Sequence, residues 1–418
     1  MNQYGKYKPS GIEWIGEIPE HWDVQKLKWL VMVNSGKTVP VTFNKSAGQY
    51  PVYGANGLIG FSDEYNLDTK AILVGRVGAS GEINLTESKC WVSDNALIIE
   101  LKNHLNFNFA KYLFYSINFK TLITKNAQPL ITATDVKEQL AIIPSREEQR
   151  KIADYLDHKT TQIDRLVTKK QKLIELLNEE KTAIINQAVT KGLNPNTPMK
   201  DSGIPWIGEI PEHWAFKKLK YVAVIKPSNV DKKIYDGEKK VLLCNYLDVY
   251  KNEFIDNSFS FMEATASENE ITKFTIKKGD VLVTKDSETP DDIANPAYIK
   301  EDLENVICGY HLAQIRANNI ELIGEYLFRL FQTRKLNSHF EISANGITRF
   351  GLSVDSFQQV FVPLPPIKEQ SDIIRHIQTE IQKIDTTISK VEKEIELLQE
   401  YRTALISEAV TGKIDVRI

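Results

Sequence analysis

The feature that most constrains this chain is a long internal repeat. Residues 12–22 read IEWIGEIPEHW and residues 204–214 read IPWIGEIPEHW, which agree at 10 of 11 positions with an offset of 192. This spacing is far longer than the roughly 20 to 50 residues of a solenoid repeat. The sequence therefore predicts that a whole domain has been duplicated, and 418 residues are enough for at least two domains.

A second pair of similar segments supports the duplication. Residues 147–192 and 368–413 share a Glu-Gln pair near their start and Ala-Val-Thr near their end, with an offset of 221. Because the offset grows from 192 to 221, the second half carries 29 additional residues between its two shared segments. The blocks in between, 23–143 and 215–362, differ strongly from each other, which is typical of similar scaffolds that recognise different targets.

The later pair of shared segments has the pattern of two long helices. In the second, apolar residues alternate steps of three and four, as in a coiled-coil seam. Ser145 and Glu148 fit a capping box at the start of the first helix, and Pro366 suits the first turn of the second. Gly192 and Gly412 suit the far ends. The predicted seam residues are Ile163, Val167, Ile174, Leu177, Ile384, Ile388, Val391, Ile395 and Leu398.

Two duplicated helices with matching seams most simply pack against each other. If a pseudo-twofold axis relates the two halves, the pair runs antiparallel. Residues 158–189 would span about 48 Å, enough to hold two DNA-reading domains one helical turn apart, about 34 to 36 Å. On periodicity alone, an interaction coiled coil with no spacing function is the favoured interpretation.

The two blocks between the shared segments are predicted to be mixed α/β and diverged copies of one fold. Each contains two strand-rich runs, a helix, and a closing polar loop with a strand. In chain order these segments are 71–85, 90–101, 107–118 and 124–144 in the first block, and 279–292, 306–317, 323–336 and 343–363 in the second.

Polar and glycine-rich loops in both blocks are candidates for reading DNA bases. Arg and Lys pair with guanine and Asn and Gln with adenine in the major groove, while glycine lets backbone approach a ligand closely. Each residue alone is more typical of a solvated turn, but recurrence at matching places favours a binding role for the set. The candidates are Tyr53, Asn56, Gly75, Arg76, Gly78, Lys125, Asn126, Gln128, Lys285, Asp286, Ser287, Asn345, Gly346, Thr348 and Arg349.

Catalytic and metal-binding patterns are not found in the sequence. His21 and His213 belong to the repeated motif, beside Pro and Trp, and we expect them to pack or cap. Asp291 and Asp292 lack the lysine partner of a nuclease cluster, so we expect a solvated loop. A binding subunit with no metal and no cofactor of its own is the favoured class.

Composition adds little to the choice of partner. The net charge of −3 does not indicate a nucleic-acid ligand, so a DNA-binding hypothesis depends on pattern alone. Three widely spaced cysteines argue against a disulfide framework. The sequence contains no run of about 18 apolar residues, so we expect no membrane span. We therefore expect a cytoplasmic protein.

Taken together, these motifs resemble the specificity subunit of type I restriction-modification systems. The resemblance rests on WIGEIPEHW in each half, on the EQ helix openings after IIPSRE and VPLPPIK, and on the helix ends QAVTKG and EAVTGK. It covers essentially the whole chain. One departure is local: the first helix opens with IPSREEQ, whereas the family more usually has the double-proline form seen here as LPPIKEQ.

The resemblance implies an α+β fold with a pseudo-twofold internal repeat. Two mixed α/β target recognition domains would be joined by two long helices that form an antiparallel coiled coil. The implied domains are a first target recognition domain at 1–144, a central helix at 145–192, a second target recognition domain at 193–364 and a distal helix at 365–418.

The resemblance also implies a function and partners. Each target recognition domain would read one half of a bipartite, asymmetric DNA site, and the helices would set the spacer. The chain itself would do no chemistry. It would recruit two methyltransferase subunits, which bind S-adenosylmethionine, and motor-nuclease subunits would join through the complex. The DNA-facing loops would include Arg76, 125–128, 285–287 and 345–349.

Three alternatives remain open at this point. One is a specificity module of another restriction system with a bipartite site. The others are a structural coiled-coil scaffold, which gives no reason for two divergent blocks, and a nuclease acting alone, which would need an acidic metal cluster.

Overall fold

The computed structural model describes residues 3–86, 89–102, 105–123, 130–204 and 207–417. The chain divides into two compact units. The first unit comprises Met1–Gln171 and Glu392–Ile418, and the second comprises Lys172–Val391. Both boundaries fall inside long helices, so each unit holds one part of each helix.

The first unit is built from short strands, short helices and one part of each long helix. Its strands are β1 (Tyr7–Pro9), β2 (Glu17–Pro19), β3 (Asp23–Lys26), β4 (Val31–Ser35), β5 (Tyr50–Gly54), β6 (Gly57–Ser62), β7 (Ala71–Gly75), β8 (Ile83–Thr86), β9 (Trp91–Val92), β10 (Ala96–Leu101) and β11 (Leu140–Ile143). Its helices are α1 (Leu27–Leu30), α2 (Phe107–Ser116), α3 (Ala133–Lys137) and the first part of α4 (Arg146–Lys191), together with the end of the last helix of the chain.

An antiparallel sheet of order β4-β10-β7-β8 forms the centre of the first unit. All five residues of β7 are buried, because both faces of the sheet are covered. Ile72 and Val74 face a core that includes α2 and the last turns of the final helix, while Leu73 faces a smaller cluster under β9. This follows from the two-residue period of a strand, which sends successive side chains to opposite faces.

The second unit repeats this plan with more elements. Its strands are β12 (Met199–Asp201), β13 (Glu209–Pro211), β14 (Ala215–Lys218), β15 (Ala223–Pro227), β16 (Lys239–Cys244), β17 (Phe254–Ile255), β18 (Met262–Ala266), β19 (Val281–Thr284), β20 (Asp286–Ser287), β21 (Pro296–Ile299), β22 (Val306–Cys308), β23 (Leu312–Ala317), β24 (Asn345–Gly346), β25 (Phe350–Gly351) and β26 (Phe361–Leu364). Its helices are the second part of α4, α5 (Tyr246–Tyr250), α6 (Glu268–Phe274), α7 (Gly324–Phe331), α8 (Arg334–Ser343), α9 (Val354–Gln358) and the first part of α10 (Ile367–Val410).

The sheets of the two units correspond strand by strand. The order β4-β10-β7 in the first unit matches β15-β23-β19 in the second, and the sheet β6-β5-β9 matches β18-β16-β22. In each smaller sheet the last pairing is parallel. The prediction that the two blocks are diverged copies of one fold is therefore confirmed.

The additional residues of the second unit lie partly between matching strands. A two-residue turn, Ala55 and Asn56, joins β5 to β6 in the first unit. The corresponding connection from β16 to β18 contains α5 and β17. The second block therefore carries extra structure beside its sheet where the first has a tight hairpin.

The ends of both long helices agree with the local signals in the sequence. Ser145 and Glu148 form the predicted capping box, with Ser145 Oγ accepting from Glu148 N at 3.3 Å and Ser145 N donating to Glu148 Oε2 at 3.3 Å. Gly192 and Gly412 have φ of 73° and 75°, the left-handed conformation of a helix C-cap. Pro366 differs from prediction: it precedes the helix, and its carbonyl accepts the first helical hydrogen bond, from Gln370 N.

Three short helical features differ from prediction. The predicted helix at 323–336 is two helices, α7 and α8, because the Thr333 side chain accepts from Leu336 N and caps a new helix. The closing segment of each block contains a short helix, α3 or α9, that the sequence did not indicate. Thr132 and Ser353 cap these helices, and each spans only five residues.

Two features are absent from residues 3–86, 89–102, 105–123, 130–204 and 207–417. No helix there is both long and apolar enough to cross a membrane. No group of three or more His, Cys, Asp or Glu side chains in those ranges is arranged to hold a metal ion.

Candidate nucleic-acid interface

In the first unit, the repeated motif contacts the start of the long helix. His21 Nε2 lies 2.8 Å from Glu148 Oε1, and Trp22 Nε1 donates to the same oxygen at 3.3 Å. Burial of Glu148 opposes its ionisation, but hydrogen bonds from His21, Ser145 and Trp22 outweigh burial and hold its pKa below the ordinary value. The carboxylate therefore joins the motif to the helix in its ionised form.

The second unit repeats this contact. His213 Nε2 lies 2.8 Å from Glu369 Oε2, and Trp214 Nε1 donates to Glu369 Oε1 at 3.1 Å. The prediction that the motif histidines pack or cap is therefore confirmed: each one positions the first turn of a long helix. The repeated motifs and the two long helices together form the part shared by both units, which we call the frame. The motif sequence recurs because each copy makes the same contact with a long helix.

The far ends of the long helices pack against the same motifs. A side chain at Gly412 would place its Cβ 2.9 Å from Trp22, and one at Gly192 would place it 3.3 Å from Trp214. Both glycines also have the positive φ that disfavours other residues. In each unit, one motif therefore contacts the start of one long helix and the end of the other.

The glutamine of each EQ pair ties the long helix to the recognition block. Gln149 Oε1 accepts from Asn106 N at 2.9 Å, at the start of α2, and Gln370 Oε1 accepts from Ile323 N at 2.9 Å, at the start of α7. Each Nε2 donates to the carbonyl of a proline just before its own helix. Both glutamines are almost fully buried, so these bonds fix the block rigidly to the frame.

The loop after β7 is the first cluster of predicted DNA contacts. Arg76 N donates to Asn95 O at 2.8 Å, and Arg76 O accepts from Ile131 N at 3.0 Å. A Cβ at Gly75 would lie 2.1 Å from a carbonyl oxygen of the same loop, so this glycine serves the packing of the loop itself and not the approach of a ligand. Gly78, with φ of 84°, faces open space.

The turn between β5 and β6 lies beside this loop. Asn56 is exposed there, and the half-buried Tyr53 packs against the smaller apolar cluster of the unit. Asn84 Nδ2, on β8, donates to Ala55 O at 3.3 Å and holds the turn in place. The remaining predicted contacts of the first block, Lys125, Asn126 and Gln128, lie outside the described residues.

The second unit repeats the backbone bonds of this loop. Lys285 N donates to His311 O at 2.9 Å, and Lys285 O accepts from Leu352 N at 2.8 Å. Lys285 and Arg76 therefore hold matching places, as the sequence predicted. The Lys285 amine donates to Ser228 O at 2.9 Å and lies 5.0 Å from the ring centre of Tyr310, so its own unit already binds it.

The structure brings together the two predicted loops of the second unit. The strand β25 pairs with both β20 and β24, so that Asp286 and Asn345 both lie opposite Gly351. A Cβ at Gly346 would lie only 1.9 Å from Arg349 O, which explains glycine in this tight connection. Arg349 is exposed at its tip.

A groove of about 690 Å³ lies beside these three strands. The predicted residues Asp286, Ser287, Thr348 and Arg349 line it, together with other polar and aromatic side chains that were not predicted as contacts. Donors and acceptors thus face the same space, which suits the mixed edge of a base pair better than a phosphate.

Two stacked tyrosines form one wall of the groove. The rings of Tyr246 and Tyr250 are 5.4 Å apart and nearly parallel, at 16°. Tyr250 donates to Asp292 Oδ2 at 2.7 Å, and Asn295 donates to Asp292 Oδ1 at 2.9 Å. The bond to Asp292 raises the pKa of Tyr250, and burial and the Asp292 charge raise that of Tyr246, so both phenols remain protonated at neutral pH.

The residues at this site that were not predicted as contacts are Tyr246, Tyr250, Glu288, Thr289, Asp292 and His311. Asp291 is exposed, as expected for a solvated loop, whereas Asp292 is half-buried and lines the groove. The signal for His311 was its position just before a buried strand, the same place that Asn95 holds in the first block. The tyrosines lie on α5, which has no counterpart in the first unit.

Both long helices are less exposed at the predicted seam positions than at most of their neighbours. Leu166 and Leu173, which the seam excludes, are 47% and 41% exposed. The buried seam residues are Ile163, Ile384 and Val391, and the half-buried ones are Val167, Ile174, Leu177, Ile388, Ile395 and Leu398.

Comparison with known proteins bears on this architecture. The family model of the type I restriction modification DNA specificity domain matches residues 19–176 and again residues 211–397. The chain is 24% identical over 416 residues to the type I restriction enzyme MjaVIII specificity subunit of Methanocaldococcus jannaschii, covering 96% of this chain and 94% of that protein.

Two solved structures share the fold. A chain from a structure of complex assembly and conformational transition in a type I restriction-modification system has a TM-score of 0.69 at 14% identity, covering 95% of this chain and 99% of that one. The HsdS subunit from Thermoanaerobacter tengcongensis has a TM-score of 0.51 at 14% identity, covering 98% of this chain and all of that one. Because the family model matches well over half of the residues, this chain belongs to the type I restriction-modification DNA specificity family.

Proposed function

We propose that this chain is the DNA sequence-recognition subunit of a type I restriction-modification complex, and that each unit reads one half of a bipartite, asymmetric site. The observation that carries the proposal is the double match of the DNA specificity domain, once in each repeat. The structure adds a reason for two half-sites: one shared frame holds two loop clusters whose side chains differ.

The two long helices run antiparallel as a coiled coil in this proposal. Three ion pairs support it: Asp164 with Arg402, Lys170 with Glu394 and Lys181 with Asp385. As the residue number rises along α4, the partner's number falls along α10, which is the pattern of antiparallel neighbours. Lys170 and Lys181 also favour one register, since a shifted register would leave them without an acidic partner.

The helix pair sets the spacer between the half-sites. At about 1.5 Å per residue, the 46 residues of α4 extend over roughly 69 Å. This exceeds the roughly 34 to 36 Å that separates DNA half-sites one helical turn apart. A rigid pair of helices of this length is suited to hold two reading units at a fixed spacing, in a molecule with pseudo-twofold symmetry.

The chain supplies recognition and its partners supply chemistry. Two methyltransferase subunits bind the chain in this proposal, one for each repeat of the frame, and S-adenosylmethionine belongs to them. Motor-nuclease subunits join through the complex. The chain itself is non-catalytic and works in the cytoplasm of a prokaryote, with boundaries near 1–144, 145–192, 193–364 and 365–418 for its four segments.

A block exchange tests the proposal. The full chain is co-expressed with its methyltransferase subunit, and methylated adenines are mapped in host DNA before and after residues 215–362 are replaced by the block of a relative. We expect one half of the methylated site to change and the other half and the spacer to persist. The matched control exchanges residues 23–143 and should change the opposite half.

Two results would contradict the proposal. If either exchange alters both halves, the units do not read independently. If the methylated sequence is unchanged by both, the chain does not determine specificity.

A further inference from the structure

Resting on the proposed function, we propose that the groove in the second unit reads a G·C base pair in the major groove. Arg349 would donate to guanine O6 and N7, and Asp286 would accept from cytosine N4. We assign His311 as the positioning residue that holds Asp286 beside Arg349. This names the base pair, whereas the proposed function names only the half-site.

The groove presents the chemistry that a G·C pair needs. Guanine offers two adjacent acceptors and cytosine one amino donor, so a guanidinium and a carboxylate side by side match the pair. Arg349 is exposed at the tip of its loop, and Thr348 lies next to it on the groove wall. Carboxylates along the same wall disfavour phosphate, so a base edge is the occupant that fits.

Asp286 is better placed to accept from a base than its neighbour Asp292. Both oxygens of Asp292 already accept, one from Tyr250 and one from Asn295. Asp286 Oδ2 lies 2.6 Å from His311 Nδ1, and within the described residues no hydrogen bond is found to Oδ1. With its side chain 23% exposed, Asp286 can direct Oδ1 towards a ligand while His311 holds the other oxygen.

His311 connects the two reading side chains. Both of its ring nitrogens lie 3.5 Å from Arg349 Nη2, and its Nδ1 also lies 2.6 Å from Asp286 Oδ2. Its φ is 72°, a conformation that side-chain-bearing residues rarely adopt, and its carbonyl accepts from Lys285 N. The chain thus holds a strained backbone where an imidazole contacts both a cation and an anion.

The experiment measures base-pair preference at each position of the second half-site. The full chain is assembled with its methyltransferase subunit, and initial methylation rates are compared on duplexes with each pair substituted in turn. Asp286→Asn and Arg349→Ala should both reduce the preference for G·C by about tenfold or more at one shared position, as expected for loss of a good base contact. Preferences in the first half-site should not change.

Three further variants separate positioning from folding. His311→Gly relieves the backbone and removes the donor, so preference should fall at that same position only. His311→Asn keeps an N–H donor and tolerates positive φ, so it should retain most of the preference. Asn319→Gly, at an exposed residue that also has a left-handed backbone, with φ of 58°, is the control and should have no effect. Melting temperatures of all variants identify any that fail to fold.

Three outcomes would contradict the assignment of a G·C pair to this groove. A preference for A·T at the affected position, separate positions for Asp286→Asn and Arg349→Ala, or equal behaviour of His311→Gly and His311→Asn would overturn this inference. These outcomes leave the block exchange intact. A block exchange that fails would instead reject the proposed function itself.

Discussion

Single carboxylates join distant parts of each unit. The Glu148 carboxylate forms hydrogen bonds with His21 and Trp22, which lie more than 120 residues earlier in the chain. The Glu369 carboxylate forms the same bonds with His213 and Trp214. The sequence showed that EHW and EQ recur, but it could not show that they touch, because contacts over such separations leave no local pattern. The capping box could be predicted because its residues are three positions apart.

Glu148→Gln should weaken the first unit in a pH-dependent way. The pKa of Glu148 is lower in the folded chain than the ordinary 4.5, so the ionised group stabilises the fold fully above that value and less as pH falls through the folded pKa. We expect a loss of about 1 to 3 kcal/mol near neutral pH, since charged hydrogen bonds are removed. The difference in unfolding free energy between Glu148→Gln and the natural chain should become smaller at acidic pH.

Urea unfolding at several pH values measures this effect. The control is Glu147→Gln, whose side chain is 69% exposed and pairs only locally with Lys151. If the difference in unfolding free energy between the variant and the natural chain is the same at every pH, the charge of Glu148 does not stabilise the fold.

Gly346→Ala should impair the second half-site alone. The added methyl group would meet Arg349 O at 1.9 Å, so the loop that carries Arg349 must move. Methylation of sites with the second half-site intact should fall at least several-fold, while the preferences of the first half-site persist. Gly237→Ala is the control, because φ there is 86° but nothing lies within 4 Å; if both substitutions act alike, backbone strain is the cause.

At the level of elements, long periodic helices were predictable and short ones were not. The two long helices, with Ser145 and the two terminal glycines, have local signals that agree along more than 40 residues. By contrast, α3 and α9 each have five residues, too few for a periodic pattern. The break at Thr333 was hidden because the residues on both sides are good helix formers.

Inserting one heptad into both long helices should widen the methylated site. Seven residues added between 171 and 172 and between 391 and 392 lengthen an antiparallel pair by about 10 Å, or roughly three base pairs, and keep its register. Mapping methylated adenines should give the same half-sites with a longer spacer. An insertion into α4 alone should misalign Lys181 and Asp385 and lower complex yield; an unchanged spacer in the double insertion would exclude the spacing function.

At the scale of the whole molecule, charge gave the least information. The net charge is −3, and the two variable blocks carry +2 and −2 by count of Lys and Arg against Asp and Glu. Such values describe a total, whereas base reading depends on a few side chains such as Arg349 and Asp286 at one groove. The fold class was predictable from the repeats, but the groove was not, because it forms from segments more than 100 residues apart.

The near-neutral charge leads to a prediction about salt. If partner subunits supply most phosphate contacts, the isolated chain should bind its DNA weakly and with a shallow dependence on salt. The assembled methyltransferase should bind tightly, with a steeper slope of log affinity against log salt concentration. Titration by fluorescence anisotropy measures both, and equal affinities with equal slopes would contradict this division of roles.

The position of Gly412 against Trp22 has a consequence for biosynthesis. The first unit draws its core from both chain ends, since Leu405, Ile406 and Ala409 pack with residues such as Ile18 and Phe109. The second unit is one continuous stretch, so it has all its residues while the ribosome is still translating the last helix. The first unit is therefore synthesised first but can complete its core only after the second unit has been synthesised. A chain truncated near the end of the last helix would contain a complete second unit and a first unit that lacks part of its core.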